Sequence, residues 1–446
     1  MIERIEHRGK LIHECTLPGD TRAEGIAPAH PNGLQLSRDR FMLLVSTLRF
    51  LGVDDARSGV YEIRDGAYDG PKVNEGHIVK SVDDWDPLGD GSRHVRQHGH
   101  FTGFGVPKGA LIDGKTPPHA NVFAVMWRRC ARMFDPNREY LVWYVDRKHP
   151  ELHEASQGVE WLQLRLNDTG DDIEVIAPMG DMRQVGYEVG DRRCAVDATL
   201  MNNPYSSPIP ANDDCTEWID CKAFGKGGIA PCRYRYNAES GLYEWVETGP
   251  FIEEAIFEPT VARYQDSWII AARPSTENPI AWMRCDDPFI KAPTVQFGPG
   301  SSNQNRTPMT VFTCPDGVLR LLTRDYDGTP HRTVKDTPLN RNPLYIWDVD
   351  PDDNFRLSNR RVVFDAIESG VPITVEHHPI VDMPKLLPHA GGRMQALVHR
   401  VCSAALMSND PDYGGYRMTP DDFDATAVYY AEAQYDAEYP GVWKFE

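Results

Sequence analysis

The stretch EPTVARYQDSWIIAARP at residues 258–274, followed by PIAWMRCDDP at 279–288, decides the fold. It consists of short apolar runs separated by turns rich in Asp, Gln and Pro, which is the pattern of antiparallel strands. The same order of strand, turn, strand, paired aspartates and proline appears at 30–87 and, in outline, at 306–355. A unit that recurs along the chain predicts a repeat architecture.

The rest of the chain continues this pattern, because apolar residues at helical spacing rarely persist beyond two turns. Strand-like runs about ten residues apart predict a sandwich, a barrel or a propeller. A length of 446 residues favours a propeller, at about 40–70 residues per blade. Seven apparent repeat starts leave the blade number open by one: near 29, 98, 155, 195, 256, 305 and 377. We expect a single all-β domain over residues 1–446, a six-bladed β-propeller of four-stranded antiparallel blades.

The charge balance excludes several classes of partner. The chain has 66 acidic and 47 basic residues, a net charge of -19. A nucleic-acid-binding protein needs a basic face to displace counterions from phosphate, so no nucleic-acid partner is expected. The same balance argues against binding to an anionic membrane surface. With 41% hydrophobic and 25% charged residues, the composition is that of a globular protein.

The N-terminus and the cysteines suggest an intracellular setting. MIERIEHRGK at residues 1–10 lacks the apolar core of a signal peptide, so we expect a cytoplasmic protein, or a secreted one if a leader was removed. Nine cysteines are interpreted as reduced thiols. A zinc site formed by Cys215, Cys221 and Cys232 is a minor alternative, since they lack CxxC spacing. No metal and no cofactor is expected, and the oligomeric state, a homo-oligomer included, is left open.

Three motifs resemble those of the sialidase superfamily, six-bladed propellers with Asp-box turns. Glu258 precedes Arg273 by fifteen residues, which is close to the spacing of a blade-opening glutamate and a strand-ending arginine in that family. SVDDW at 81–85 is similar to a shortened Asp box. Asp54 and Asp55 lie in a loop that is similar to the one carrying the family's acid/base aspartate.

The resemblance implies a glycosidase, exo-acting on an anionic carbohydrate. It implies that Glu258 activates a tyrosine nucleophile, that Asp54 or Asp55 is the acid/base, and that Arg273 and Arg306 hold the substrate carboxylate. Arginine suits that role because its planar fork pairs bidentately with a carboxylate. Arg57, just after the aspartates, is a further substrate-binding candidate.

The sequence departs from the family at two positions. His30 stands where a sialidase opens its first blade with an arginine, although Arg22 lies a little earlier. No residue is an equivalent of the nucleophilic tyrosine. Tyr205 lies in the Pro-rich loop that follows Asn202 and Asn203, where a structural turn is favoured over a sugar platform or nucleophile.

The histidines provide a second set of candidates. His98 and His100 are two apart, a spacing that places both rings on one face of a strand. With His30, and with His377 or His378, they could meet on the propeller axis. A polar channel lining is the favoured interpretation, with a binding, catalytic or metal role as alternatives.

The last blade has an unusual set of charges beside an apolar strand pair: Asp382, Lys385, His389 and Arg400. We include Asp382 and Lys385 among the substrate-binding candidates. Three residues apart on an extended strand, they would face opposite ways unless Pro384 introduces a turn. Tryptophans are interpreted mainly as packing between blades, with sugar stacking as the alternative for Trp85, Trp218 and Trp245.

Two other functions stay open. A polysaccharide lyase on the same architecture would use His30, His98 or His100 with a tyrosine and would release an unsaturated product. A non-catalytic carbohydrate- or protein-binding propeller would bind without turnover. The sequence favours the glycosidase because of the spacing of Glu258 and Arg273, the loop of Asp54 and Asp55, and the repeated blade pattern.

Overall fold

The computed structural model describes most of the chain, in these ranges: 1–12, 26–49, 56–80, 82–86, 88–89, 94–134, 141–144, 158–181, 188–189, 192–193, 201–203, 205, 207–224, 228–253, 257–273, 280–298, 308–324, 341–371, 379–388, 392–403, 426–439 and 441–446. These residues form strands and turns and contain no helix. None of them therefore forms a helix long and apolar enough to cross a membrane.

The strands of the first half are β1 Ile2–Ile12, β2 Ile26–Gln35, β3 Arg40–Arg49, β4 Ala56–Asp65, β5 Lys72–Val79, β6 Val82–Trp85, β7 His94–Val106, β8 Val122–Phe134, β9 Leu141–Tyr144, β10 Gly158–Leu166, β11 Ile173–Asp181, β12 Glu188–Val189, β13 Arg192–Arg193, β14 Met201–Asn203 and β15 Ile209–Pro210. Those of the second half are β16 Glu217–Phe224, β17 Gly228–Asn237, β18 Leu242–Thr248, β19 Phe257–Tyr264, β20 Ser267–Arg273, β21 Ala281–Cys285, β22 Gln296–Phe297, β23 Thr310–Thr313, β24 Leu319–Thr323, β25 Leu344–Asp350, β26 Arg356–Phe364, β27 Pro379–Leu386, β28 Gly392–Ser403 and β29 Ala427–Tyr439.

These strands form the six antiparallel blades of a propeller, as expected from the sequence. From the inside outwards, the blades are β2–β5, β7-β8-β10-β11, β14-β16-β17-β18, β19–β22, β23–β26 and β27-β28-β29-β1. The second blade carries β6 and β9 as additions, the third carries β15 beside β16, and β12 and β13 form a separate two-stranded sheet. The N-terminal strand β1 pairs with β29, so the last blade joins the two ends of the chain and closes the ring.

One of the seven repeat starts expected from the sequence was wrong. The repeat start near 155 does not open a blade, because β10 and β11 pair outwards from β8 and complete the second blade. The remaining six starts, near 29, 98, 195, 256, 305 and 377, match the six innermost strands. The alternation of apolar and polar residues identifies a strand but not its position within a blade.

The innermost strands surround the propeller axis. Residues of β15, β19, β23 and β27 together line one cavity of about 440 Å³. Side chains join neighbouring inner strands: Asn32 donates to the carbonyl of Phe101 and to the hydroxyl of Ser207, each at 3.1 Å, and Thr310 donates to the carbonyl of Pro384 at 2.6 Å. These bonds join the first blade to the second and third blades, and the fifth blade to the sixth.

Packing between blades accounts for most of the buried aromatic residues. Trp282 of the fourth blade stacks on Phe355 of the fifth, with ring centroids 4.8 Å apart and planes at 6°. Phe355 follows an Asp-rich turn in which Asp350 accepts hydrogen bonds from the next backbone amides. Asp350 thus stabilises the turn between the outer two strands of the fifth blade through side-chain to backbone hydrogen bonds.

Candidate active site

Four inner strands carry a β-bulge at the same level. The register shifts at Ala29/Asn32, Gly99/Thr102, Phe257/Thr260 and Asp382/Lys385. One residue in each bulge has a left-handed backbone, with φ between 45° and 54°: His30, His100, Glu258 and Met383. Residues other than glycine rarely adopt this conformation, and such strain is concentrated at functional sites. The bulges turn side chains that a regular strand would direct elsewhere.

Glu258 and Arg273 form an ion pair at the bulge of the fourth blade. Arg273 Nη1 donates to Glu258 Oε2 at 2.7 Å. Their side chains are 15% and 17% exposed, so the pair lies at the edge of solvent. Arg273 Nε is buried and has no hydrogen-bond partner among the described residues. This guanidinium therefore retains donor capacity for a ligand.

Tyr205 lies beside this pair, which corrects its interpretation as an ordinary turn residue. It sits between β14 and β15, the two pieces of the third blade's inner strand, and is only 2% exposed. Its hydroxyl is buried and has no hydrogen-bond partner of normal geometry among the described residues, although the hydroxyl of Thr310, which donates to the carbonyl of Pro384, is nearby. Burial raises the pKa of Tyr205 well above its usual value, and the Glu258 and Asp382 carboxylates add to this, whereas the Thr310 hydroxyl and the Arg273 guanidinium oppose it.

Lys385 packs directly on Tyr205. Its Nζ lies 3.3 Å from the centroid of the Tyr205 ring and donates a hydrogen bond to the Tyr205 carbonyl. Lys385 is 6% exposed, and burial lowers its pKa to about 7, although the Glu258 carboxylate opposes the shift. The sequence identified Lys385 as a candidate, and the structure places it against Tyr205.

Asp382 has a different position from the one expected. It is completely buried, where Arg400 donates to both of its carboxylate oxygens at 2.8 and 2.7 Å and Arg341 donates to Oδ2 at 2.7 Å. Direct contact of Asp382 with a substrate, which we expected, does not fit these contacts, because arginines occupy both of its carboxylate oxygens. The carboxylate instead holds two arginines in place, a role that the sequence did not indicate for Arg341.

Asp382 and Lys385 do not lie on opposite faces of a regular strand. The bulge at Met383 and Pro384 falls between them and shifts the register. Asp382 is opposite Arg400, and Lys385 is opposite Val398. The turn at Pro384, considered from the sequence, is thus present.

His30 and His100 stack on each other across the first two blades. Their ring centroids are 4.0 Å apart with planes at 26°, and His30 Nδ1 lies 3.4 Å from the Ser46 hydroxyl. Burial lowers the pKa of His30 well below its usual value, and the positive charges of Arg400, Arg128 and Lys385 lower it further. His30 is therefore neutral at neutral pH and lies near the positive charges of Arg128 and Arg400.

The prediction that His98 and His100 share a strand face was wrong. The bulge reverses the alternation, so that Phe101, and not His100, stacks on Trp127 on the side where His98 lies. His98 Nδ1 is 3.6 Å from Glu160, a carboxylate that also accepts a hydrogen bond from Trp127. His98 is buried in this packing cluster, so its expected substrate-binding role does not fit its position.

Several candidates fall outside what the structure describes: Asp54, Asp55, Arg306, His377, His378 and His389, together with the side chain of Arg57. Their roles stay predictions.

Trp218 and Trp245 are buried and pack against the same apolar cluster, as expected for packing residues. Within the described ranges, no group of three or more His, Cys, Asp or Glu side chains could hold a metal ion.

A sequence signal for the bulges exists. AHPN at 29–32, FEPT at 257–260 and DMPK at 382–385 share a proline after the left-handed residue. Proline lacks an amide hydrogen and is tolerated at bulges within sheets. NNPY at 202–205 has the same form, in which Tyr205 takes the position of Thr260 and Lys385.

The comparisons with known proteins agree with this geometry at the level of the fold. No family model matches the sequence, and no curated protein does. Among solved structures, a Trypanosoma rangeli sialidase in complex with sialic acid has a TM-score of 0.53 at 11% identity, covering 97% of this chain and 57% of its own. The Trypanosoma rangeli sialidase complex with a difluorinated nononic acid gives 0.53 at 10% identity, covering 91% and 53%.

A protein of unknown function from Dyadobacter fermentans is similar over its whole length. Its TM-score is 0.51 at 9% identity, covering 97% of this chain and all of its own. This chain spans just over half the length of the Trypanosoma rangeli sialidases it resembles. The chain thus has the six-bladed propeller fold of the sialidases, as a divergent example.

Proposed function

We propose that the protein is a sialidase-like glycoside hydrolase acting on a carbohydrate that carries a carboxylate. The observation that carries the proposal is the position of Arg273, which is partly exposed, bound on one side by Glu258, and retains a buried Nε without a partner among the described residues. Tyr205, with an unpartnered hydroxyl, lies in the same electrostatic neighbourhood. A guanidinium, a carboxylate and a phenol at one site suit hydrolysis of an acidic glycoside.

The proposed roles follow from the contacts of each group. Arg273 binds the substrate carboxylate with its remaining donors. Glu258 accepts the phenolic proton of Tyr205 as the Tyr205 oxygen attacks the anomeric carbon, which makes the phenol a nucleophile despite its raised pKa. Asp54 or Asp55 protonates the leaving oxygen and then activates the water that cleaves the glycosyl–tyrosine bond.

The local charge favours an anionic ligand although the whole chain carries -19. Arg273 is partly exposed, and the buried Arg341 and Arg400 both donate hydrogen bonds to Asp382. The field in a cleft depends on such nearby groups more than on the total charge. An acidic sugar would therefore be attracted to the site.

A panel of aryl glycosides and acidic polysaccharides tests the proposal. We expect release of sugar from a carboxylate-bearing glycoside, no release from its neutral analogue, and no new ultraviolet absorbance from a double bond. Turnover that produces such absorbance would instead support the lyase. The observation that favours this second function is the neutral His30, whose pKa is lowered in part by Lys385. Saturable binding of an acidic sugar without any turnover would indicate a binding module.

A further inference from the structure

Lys385 and Tyr205 are joined by two contacts that act together. The ammonium group lies 3.3 Å from the centroid of the aromatic ring and also donates to the backbone carbonyl of the same residue. The residues are 180 positions apart and belong to the sixth and third blades. A cation over a ring face and a charged hydrogen bond each favour one placement of the tyrosine.

These contacts are the principal polar restraint on Tyr205 that the structure describes. Its hydroxyl is buried without a hydrogen-bond partner among the described residues. The ring is therefore held by its face and its backbone. Removal of the cation would leave this ring with packing contacts alone.

We propose that Lys385 is the positioning residue of Tyr205: its ammonium group holds the ring so that the hydroxyl is directed at the substrate. The functional part of this inference rests on the proposed hydrolase, whereas the structural part does not. Lys385 thus adds a restraint on Tyr205 that neither Glu258 nor Arg273 provides.

The restraint depends on pH. Burial lowers the pKa of Lys385 to about 7, so the cation–π contact weakens as the pH rises through neutrality. The charged and titratable groups around it are Glu258, whose carboxylate favours the ammonium form, His30, on which Lys385 acts in turn, and Tyr205 itself. Glu258 opposes the loss of the proton, and His30 is neutral in this range.

Fluorine NMR of protein labelled with 3-fluorotyrosine tests the structural part. The Tyr205 signal is assigned by its disappearance in Tyr205→Phe. We expect its chemical shift to change with a midpoint near pH 7, to be independent of pH around neutrality in Lys385→Arg, which keeps the charge, and to be displaced at every pH in Lys385→Met. Titration of the phenol itself would persist in both variants and is thereby distinguished.

Tyr234 is a matched internal control. Lys222 Nζ lies 5.5 Å from its ring centroid, but Lys222 is ion-paired with Asp220 at 2.5 Å. We expect the Tyr234 signal not to move over the range in which that of Tyr205 does. A Tyr205 signal that ignores pH in the unmodified protein, or a transition unchanged in both Lys385 variants, would overturn the proposal.

Kinetics on the glycoside found in the panel test the functional part. We expect Lys385→Met to lower kcat by roughly 10- to 100-fold with little change in KM, as for a misplaced reacting group. Lys385→Arg should retain most of kcat and lose the transition near pH 7. If no glycoside is turned over, the hydrolase proposal fails while the NMR result still decides the Lys385–Tyr205 relationship. Equal kcat in all three proteins would contradict the positioning role.

Discussion

Arg273 donates a 2.7 Å hydrogen bond to Glu258 across the first two strands of the fourth blade. In the strand register the residue opposite Arg273 is Phe257, and the bulge begins immediately after it. The left-handed backbone of Glu258, with φ of 45°, turns its carboxylate to the guanidinium. The fifteen-residue spacing in the sequence is thus one hairpin that ends in an ion pair.

Glu258→Gln should abolish most of the activity without unfolding the protein. The amide keeps the shape and a hydrogen-bond acceptor for Arg273 but is not a base, so we expect kcat to fall by about 10²- to 10⁴-fold. Initial rates on the acidic glycoside measure this. The control is Glu174→Gln, in an exposed pair with Arg165, which should leave the rate unchanged; unimpaired turnover by Glu258→Gln would remove Glu258 from the mechanism.

Tyr205→Phe separates chemistry from folding. It keeps the ring under Lys385 and removes a buried hydroxyl that has no described partner. We therefore expect loss of activity with an unchanged or slightly increased free energy of unfolding. In contrast, Tyr435→Phe removes a hydroxyl that donates to Gln395 at 2.6 Å and should destabilise by about 1 kcal/mol. Urea denaturation compares the two, and a marked destabilisation by Tyr205→Phe would argue that its hydroxyl has a structural partner.

Arg400→Met should destabilise the protein strongly. Arg400 contributes two of the hydrogen bonds to the fully buried Asp382 carboxylate, and breaking a buried ion pair costs about 3–5 kcal/mol. The matched surface variant is Arg165→Met, whose exposed pair with Glu174 is worth at most about 1 kcal/mol. Denaturant midpoints measure both; similar small effects would mean that Asp382 is compensated by other groups.

His399 should make the protein sensitive to acid. It is buried against Phe364 and Tyr429. Burial first, and then the neighbouring His7, lower its pKa from 6.5 to about 3, although the Asp382 carboxylate opposes the shift. Because the unfolded chain takes up this proton below pH 6.5 and the folded protein does not, stability falls as the pH drops from 6.5 towards 3. One such proton corresponds to roughly 1.4 kcal/mol per pH unit.

His399→Phe tests this titration directly. The free energy of unfolding, measured from about pH 7 down to about pH 4, should fall less steeply in the variant than in the unmodified protein. The slopes of the unmodified protein and of His399→Phe are compared at matched ionic strength. Equal slopes would show that His399 is already charged or is solvated in the fold.

The sequence was sufficient for the architecture because each blade repeats the same local rule. Alternating strands and aspartate turns are set by neighbouring residues, so six of the seven repeat starts match inner strands. The seventh failed at β10, whose sequence is that of a strand but whose place in the second blade depends on its pairing with β8. Pairing is non-local and cannot be read from periodicity.

The site was predicted less completely for the same reason. Glu258 and Arg273 meet within one hairpin, so their spacing was informative. Arg341 and Asp382 come together from different blades, and no local pattern indicates that contact. His98 and His100 were assigned to one face because a regular strand was assumed, and the bulge between them removed that regularity.

Covalent trapping tests the proposed site most directly. The protein is incubated with a fluorinated, activated analogue of the glycoside that it turns over, so that a glycosyl–enzyme intermediate accumulates, and the labelled peptide is identified by mass spectrometry. We expect the label on Tyr205, its absence in Tyr205→Phe, and slower labelling in Glu258→Gln. A label on another residue, or turnover of the glycoside with no covalent intermediate, would contradict the assignment of Tyr205, Glu258 and Arg273 as the catalytic site.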